Sequence, residues 1–206
     1  MNLKNFPLVC CDLESVLIGE LWVELAHKTG IEELKKTTRE EPDYDKLMKM
    51  RLQILEKNNL KLSDIEKVVK TCEPLPGARE FLDWLRTQVS VVILSDTFIQ
   101  FAQPLMKKLN WPVLFCHSLI VDKSGKIIDY KLRQKNHKQE AVKAFQKLNY
   151  KIISFGDSYN DVKMLQQAEH GFLFSSPKNV RDEFPEIPTV NNYKELKNNI
   201  IKLIGK

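Results

Sequence analysis

Asp12 and Glu14 stand two residues apart in the segment Cys11-Asp12-Leu13-Glu14-Ser15-Val16, directly after a short apolar run. Asp157 and Asp161 stand four apart in Gly156-Asp157-Ser158-Tyr159-Asn160-Asp161, a spacing that one helical turn aims in a common direction. Taken singly, each pair has an ordinary reading as turn and cap chemistry, with Gly for the turn and Asp or Ser for a helix N-terminus. Carboxylates collected from distant parts of a chain repel one another, however. A bound divalent cation is the natural explanation for gathering them. The chemistry on offer is that of a reactive carboxylate beside a metal.

Three apolar runs must deliver these groups. Leu8 to Leu13, Val89 to Leu94 and Lys151 to Phe155 read as buried parallel strands, each ending in a polar cluster and each followed by a helical pattern. The clusters Asp12 to Ser15, Ser95-Asp96-Thr97 and Gly156-Asp157-Ser158 are therefore expected at strand-to-helix turns. Ligands of open α/β sheets bind outside the carboxyl ends of the strands, so the three converge on one crevice.

The stretch from about Gly19 to Cys72 reads as helical: Leu21, Leu25 and Ala26 recur at helical spacing, as do Leu47, Met50, Ile54 and Leu55 after Pro42. Ser63 followed by Glu66 predicts a capping box, and Pro74 with Pro76-Gly77 marks the return to the sheet. Ile120 to Leu132 reads as a hairpin with Asp122 to Gly125 at its tip, and Tyr193 to Ile204 as a final amphipathic helix. The expected fold is α/β, a Rossmann-like three-layer core with a mostly parallel sheet. Residues 1–16 and 74–206 form that core, and 17–73 form a small helical cap domain.

The 206 residues are 43% hydrophobic and 29% charged, ordinary for a globular chain with one sizeable core. The net charge of +5 comes from Lys and Arg interleaved with Asp and Glu, without the basic block of a nucleic-acid tail. Cys10, Cys11, Cys72 and Cys116 include no C-x-x-C pair and no zinc spacing, which points to a reducing, cytoplasmic setting. Met1 to Pro7 does not read as a signal segment, and no run approaches the roughly 20 apolar residues of a membrane span.

The acidic motifs resemble those of the haloacid dehalogenase superfamily, whose first motif is D-x-D-x-T/V and whose fourth is often G-D-x-x-x-D. Asp12 matches the first aspartate and Val16 the closing position, while Asp157 and Asp161 match the fourth motif. The resemblance implies that Asp12 attacks phosphorus and becomes an aspartyl phosphate. It implies Mg²⁺ held by Asp12, Asp157 and the backbone carbonyl of Glu14, with Asp161 holding a metal-bound water or orienting Asp157. Phosphoryl transfer spreads negative charge over equatorial oxygens, which calls for a metal, a cation and N–H donors. Ser95 matches the second motif as a phosphate anchor, and the resemblance selects Lys138 as the cation. Glu14 stands where most relatives have Asp; it would protonate the leaving alkoxide and then deprotonate the acceptor, given a raised pKa.

The likeness extends further. Glu20, the helical insertion, Arg51, Ser95, Lys138 and the fourth motif follow in the order found in phosphoserine phosphatases, whose C1-type cap lies between motifs one and two. Asp12-Leu13-Glu14, the run Thr37 to Asp45, Leu94 to Phe98 and Gly156 to Asp161 resemble the bifunctional subgroup that also transfers phosphate to homoserine. On that resemblance Arg51 takes the substrate carboxylate, Glu20 the ammonium, and Tyr44 walls the pocket. Asp96 and Thr97, in place of the usual glycines, would help seat an acceptor alcohol, and Asn160 completes the substrate contacts. Phosphoserine is the expected substrate, homoserine an acceptor beside water, and a homodimer the expected assembly. Nucleic acid and membrane are not expected partners. The competing readings are a phosphatase of another small phosphomonoester and a catalytically silent binding protein of the same fold.

Overall fold

The computed structural model describes residues 6–37, 40–41 and 43–205. The N-terminal reading over residues 1–5, and Thr38, Arg39 and Pro42 of the Thr37 to Asp45 run, lie outside the described residues.

The chain enters the sheet at β1, Phe6–Cys11, whose last four residues are all buried, as expected of a strand covered on both faces. Its side chains alternate between two cores. Val9 and Cys11 join the larger cluster on one face, and Leu8 and Cys10 the smaller on the other. The strand ends two residues earlier than the sequence suggests, because Leu13 and Glu14 already belong to a turn in which Leu17 and Ile18 donate to the Leu13 carbonyl.

β1 is followed by α1 (Leu21–Thr29), a short 3-10 helix (Glu32–Lys35), α2 (Tyr44–Lys57) and α3 (Leu62–Thr71). Asp43 caps α2 by accepting the Lys46 N–H at 3.1 Å. The cap expected at Ser63 sits two residues earlier. Lys61 is the N-cap of α3, and Asp64 accepts its backbone N–H at 3.1 Å, so the reciprocal acid is Asp64 rather than Glu66. Met50 is only partly buried; Met48 and Arg51 take the inward positions of α2 instead.

α4 (Ala78–Gln88) leads to β2 (Ser90–Phe98), then α5 (Ile99–Lys108), β3 (Val113–Val121), β4 (Ile127–Lys131), α6 (His137–Lys147), β5 (Tyr150–Gly156), α7 (Tyr159–Gln167), β6 (His170–Phe174), α8 (Lys178–Glu183), β7 (Thr189–Val190) and α9 (Tyr193–Ile204). The sheet order is β4-β3-β2-β1-β5-β6-β7, parallel throughout except for β4, which runs antiparallel to β3. The hairpin starts at Val113, earlier than expected: the first half of β3 pairs with β2 and only its second half with β4. α1, α3, α4, α5 and α9 supply residues to one core cluster, and α6, α7 and α8 to the other, giving three layers.

The order places a switch point at β1. From β1 the chain adds β2 and β3 on one side, then returns to place β5 on the other. Cys11 pairs with both Ile93 and Phe155, so the residues just beyond these three strands open on a common crevice. No helix among the described residues is long and apolar enough to cross a membrane.

Candidate active site

Asp12 lies one residue past β1 and is buried, its N–H bonded to the Phe155 carbonyl of β5. Asp157 lies one residue past β5. Asp161 is in the first turn of α7 with its side chain folded back: Oδ2 accepts the N–H groups of Asp157 at 3.1 Å and Ser158 at 3.2 Å. Asp161 thereby shapes the β5–α7 turn from inside it. Gly156 makes this fold-back feasible, since a Cβ at that position would stand 2.4 Å from Asp161 Cγ. Ligand oxygens of Asp12, Asp157 and Asp161 lie within 4.8 Å of one another.

Lys138, the second residue of α6, enters this group from the helix packed beside α7. Its Nζ is 2.8 Å from Asp12 Oδ1, 2.8 Å from Asp161 Oδ1 and 3.4 Å from Asp96 Oδ2, with 3% of the residue exposed. Burial works against its charge, but the carboxylates of Asp12, Asp161 and Asp96 outweigh that and hold it protonated well above the ordinary lysine range. Burial, with the adjacent Asp161 charge, pushes Asp12 in the opposite direction, well above the usual carboxylate range. Beyond this 2.8 Å ion pair with Lys138, the buried Asp12 Oδ1 has no further hydrogen-bond partner in the structure. Asp12, Asp157 and Asp161 thus gather hard carboxylate oxygens of the kind that suits a divalent cation.

Ser95 is buried on β2, and its position corrects the expectation of a strand-to-helix turn. β2 continues to Phe98, where it pairs again with His117 after an irregularity, so Ser95, Asp96 and Thr97 all lie within the strand. The Thr97 N–H bonds to Ser95 Oγ at 3.2 Å. These three polar groups therefore come from an irregular strand end rather than a helix start.

Glu14 is half-buried beyond Asp12, with Oε2 accepting the Leu21 N–H, the first of α1, at 3.1 Å. Burial and the nearby Glu20 push its carboxyl up to about 8, against the lowering effect of Leu21, Arg51 and Thr97. Glu20 receives the Ser15 hydroxyl at 2.9 Å. Arg51 is buried across from it, stacked 4.5 Å over Trp22, with one guanidinium nitrogen donating to the Lys36 carbonyl at 2.9 Å. Its Nε has no hydrogen-bond partner. Burial lowers the Arg51 pKa to about 10, which leaves it charged at neutral pH.

One cavity of about 70 Å³ brings these groups together: Asp12, Glu14, Glu20, Tyr44, Arg51, Ser95, Asp96, Thr97, Asp157 and Asn160 all line it. Lys138 and Asp161 sit at its base through their contacts to Asp12. The Tyr44 hydroxyl donates to the Asp96 carbonyl at 3.0 Å, placing the start of α2 directly over β2.

A family model for haloacid dehalogenase-like hydrolases matches residues 8–169, which spans the strands and motifs just described. The chain belongs to the haloacid dehalogenase-like hydrolase family. A phosphoserine phosphatase of Pseudomonas syringae pv. tomato is 54% identical over 195 residues, covering 95% of this chain and 82% of that protein. The phosphoserine phosphatase ThrH of Pseudomonas aeruginosa is 53% identical over 195 residues, 95% of each chain. Among solved structures, a phosphoserine phosphatase with a phospho-aspartyl intermediate analogue superposes with a TM-score of 0.78 at 22% identity, over 95% of this chain and 99% of that one. At that identity the likeness concerns the fold.

Within this haloacid dehalogenase-like site, the sequence reading passed over several residues. Trp22, Thr37 and Ser158 also line the cavity, and Ser176 donates to the Asp157 carbonyl at 2.5 Å. His117 and His137 flank Asp96. Ser158 lies inside the fourth motif, Thr37 opens the Thr37 to Asp45 run, and His137 adjoins Lys138 at a helix start; Trp22, Ser176 and His117 carry no such signal.

Proposed function

We propose that this protein is a magnesium-dependent phosphoserine phosphatase in which Asp12 is the nucleophile, and that it can also pass the phosphoryl group to homoserine. The observation that carries the reading is the Lys138 ammonium, held between Asp12 and Asp161 at the base of a small cavity with Glu20 and Arg51 on its wall. The 53–54% identity to proteins named phosphoserine phosphatase supports the same substrate. Residues 17–73 would act as the helical cap on a core of 1–16 and 74–206. In support, Tyr44, Glu56 and Leu62 bond to Asp96, Lys126 and Gly125 across that division, and Asp45 to Tyr130.

In this reading Asp12 attacks phosphorus in line, forming the aspartyl oxygen–phosphorus bond as the phosphorus–serine oxygen bond breaks. Glu14, protonated at neutral pH, gives its proton to the departing serine oxygen. Ser95 anchors the phosphate oxygens and Lys138 compensates their charge. Glu14, now ionised, takes a proton from water or from the homoserine hydroxyl, whose oxygen then displaces Asp12. Asp12, Asp157 and the Glu14 carbonyl would hold Mg²⁺, whose bound charge would offset that of the phosphate. Both oxygens of Asp161 are already engaged, which favours its orienting role over direct ligation.

An amino-acid phosphate suits the rest of the wall. Its carboxylate supplies an acceptor for the unpartnered Arg51 Nε, and its ammonium suits Glu20. Asp96 stands on the acceptor side, and Thr97 and Asn160 complete the pocket. The test is phosphorus NMR of products from phosphoserine with rising homoserine, alongside Asp12→Asn. Phosphohomoserine is expected in addition to inorganic phosphate, with the variant inactive. Inorganic phosphate alone at every homoserine concentration refutes transfer, and an active Asp12→Asn refutes the covalent route. A homodimer is the expected assembly, read by sedimentation.

A further inference from the structure

Two buried histidines that the chemistry above leaves unused meet over the Asp96 carboxylate. His117 lies on β3 and His137 is the first residue of α6, with ring centroids 4.4 Å apart. His137 Nε2 is 3.0 Å and His117 Nε2 3.4 Å from the same oxygen, Asp96 Oδ1. The opposite ring nitrogens are also engaged. The Arg133 backbone N–H donates to His117 Nδ1 at 3.1 Å, and the Arg133 guanidinium lies 3.4 Å from His137 Nδ1. Both Arg133 groups can only donate, so each Nδ1 is an acceptor and each ring carries its proton on Nε2. Two imidazole N–H groups therefore converge on one carboxylate oxygen.

The same hydrogen bonds decide against a metal at Asp96, His117 and His137, although their ligand atoms are close enough to suggest one. A cation on the Nε2 atoms would shift each ring proton to Nδ1. There it would face a backbone N–H and a guanidinium, the reverse of the acceptor that a metal-bound imidazole needs behind it.

With Oδ1 taken by the histidines, Asp96 Oδ2 is left for the active site. It accepts Asn160 Nδ2 at 2.6 Å and lies 3.4 Å from Lys138 Nζ. Although burial favours the neutral acid, Lys138 and the two histidines hold the Asp96 carboxyl well below the usual range, so it is a fixed anion.

We propose that His117 and His137 are positioning residues for phosphoryl transfer, a two-donor clamp that fixes the Asp96 carboxylate so that it holds Asn160 and the Lys138 ammonium in working geometry. The proposal rests on the reading that Lys138 serves Asp12, and it adds the device that keeps Lys138 in place from its third side. His137→Leu removes one donor, whereas His137→Gln keeps an N–H near the Nε2 position.

The first test needs no substrate: ¹⁵N NMR of histidine-labelled enzyme at pH 7.5, where both rings are expected as neutral Nε2–H tautomers. An Nδ1–H tautomer or an imidazolium at either residue overturns the clamp. The second test is steady-state turnover of an aryl phosphate. His137→Leu is expected to lower kcat about tenfold with KM within about twofold, and His137→Gln to recover most of the loss. Wild-type kcat in His137→Leu, or equal loss in Leu and Gln variants, overturns it. Should His137→Leu fail to fold, Asp96→Asn takes its place, with both tautomers kept and kcat reduced; unchanged kcat there also overturns it. A wild-type enzyme that cleaves the aryl phosphate but not phosphoserine would sink the substrate reading while leaving both clamp tests valid.

Discussion

Gly156→Ala should damage this enzyme through a residue it does not itself replace. A methyl group at 156 would stand 2.4 Å from Asp161 Cγ and 2.6 Å from its Cβ and Oδ2. Ordinary carbon contacts lie near 3.5–4.0 Å, so the Asp161 side chain must retreat by roughly 1 Å. It has nowhere to go, being fully buried with Oδ2 bonded to two backbone N–H groups and Oδ1 to Lys138. Overpacking together with weakened charge-assisted bonds comes to roughly 3–5 kcal/mol, a fall in Tm of about 8–15 °C for a chain of this size. Lys138 loses its second carboxylate anchor, and a shift of about 1 Å at such a group lowers turnover roughly a hundredfold. Urea unfolding and aryl phosphate turnover measure the two effects. Asp161→Gly removes the colliding atoms, the Cβ included, so Gly156→Ala on that background should cost under about 1 kcal/mol further. Additive losses in the double variant, or a Gly156→Ala enzyme as stable and active as wild type, would refute the steric argument.

The proton on Glu14 is retained up to about pH 8 by burial beside Glu20, so the acid needed by a leaving serine oxygen is present below that pH and lost above it. Accordingly kcat/KM for phosphoserine should fall about tenfold per pH unit above that point, while an aryl phosphate, whose leaving group needs no proton, shows no such limb; matching profiles for both substrates would remove Glu14 from the acid role. Glu14→Asp shortens the side chain by about 1.5 Å and breaks its bond to the Leu21 N–H. It should lower kcat/KM about tenfold, and a variant as fast as wild type would show that this bond does not matter. Burial pushes the Cys10 thiol up to about 12 and Cys11 well above the ordinary thiol range, so iodoacetamide at pH 8 should label at most Cys72 and Cys116 in the native protein and all four in urea. Labelling of Cys10 or Cys11 in native enzyme, read by mass spectrometry, would contradict their burial.

Much of the fold is written in local pattern. The three strand cores, the helical run between β1 and β2, and the final helix over Tyr193–Ile204 follow from apolar runs and helical spacing that no other region imitates. The structure departs from local pattern where a polar residue does not end an element. β2 runs on through Ser95, Asp96 and Thr97 because β3 pairs with it again at Phe98, a pairing that sequence polarity cannot reveal. Leu13 looks like strand but packs in a turn. The carboxylates were legible through their motif spacing, and Lys138 only through the family resemblance. His137 and Asp96 are forty-one residues apart, and no local spacing announces that two of the four histidines share one carboxylate.

Three positions depart from the pattern that the phosphoserine phosphatase resemblance leads one to expect: Glu14, Asp96 and Thr97. In the structure they are neighbours in one network. The longer Glu14 carboxylate reaches the first N–H of α1, and the neighbouring Thr97 side chain lowers its pKa. Asp96, between Ser95 and Thr97, is held by the histidine pair and in turn contacts Asn160 and Lys138. Its own carbonyl accepts the Tyr44 hydroxyl. Each departure thus brings a partner elsewhere on the cavity wall, and reverting one alone leaves that partner unsatisfied in a buried place. The network joins the group that would hand on the proton to the start of α2. In the proposed transfer, acceptor choice would therefore belong to the connected set of Glu14, Asp96 and Thr97 rather than to any one side chain.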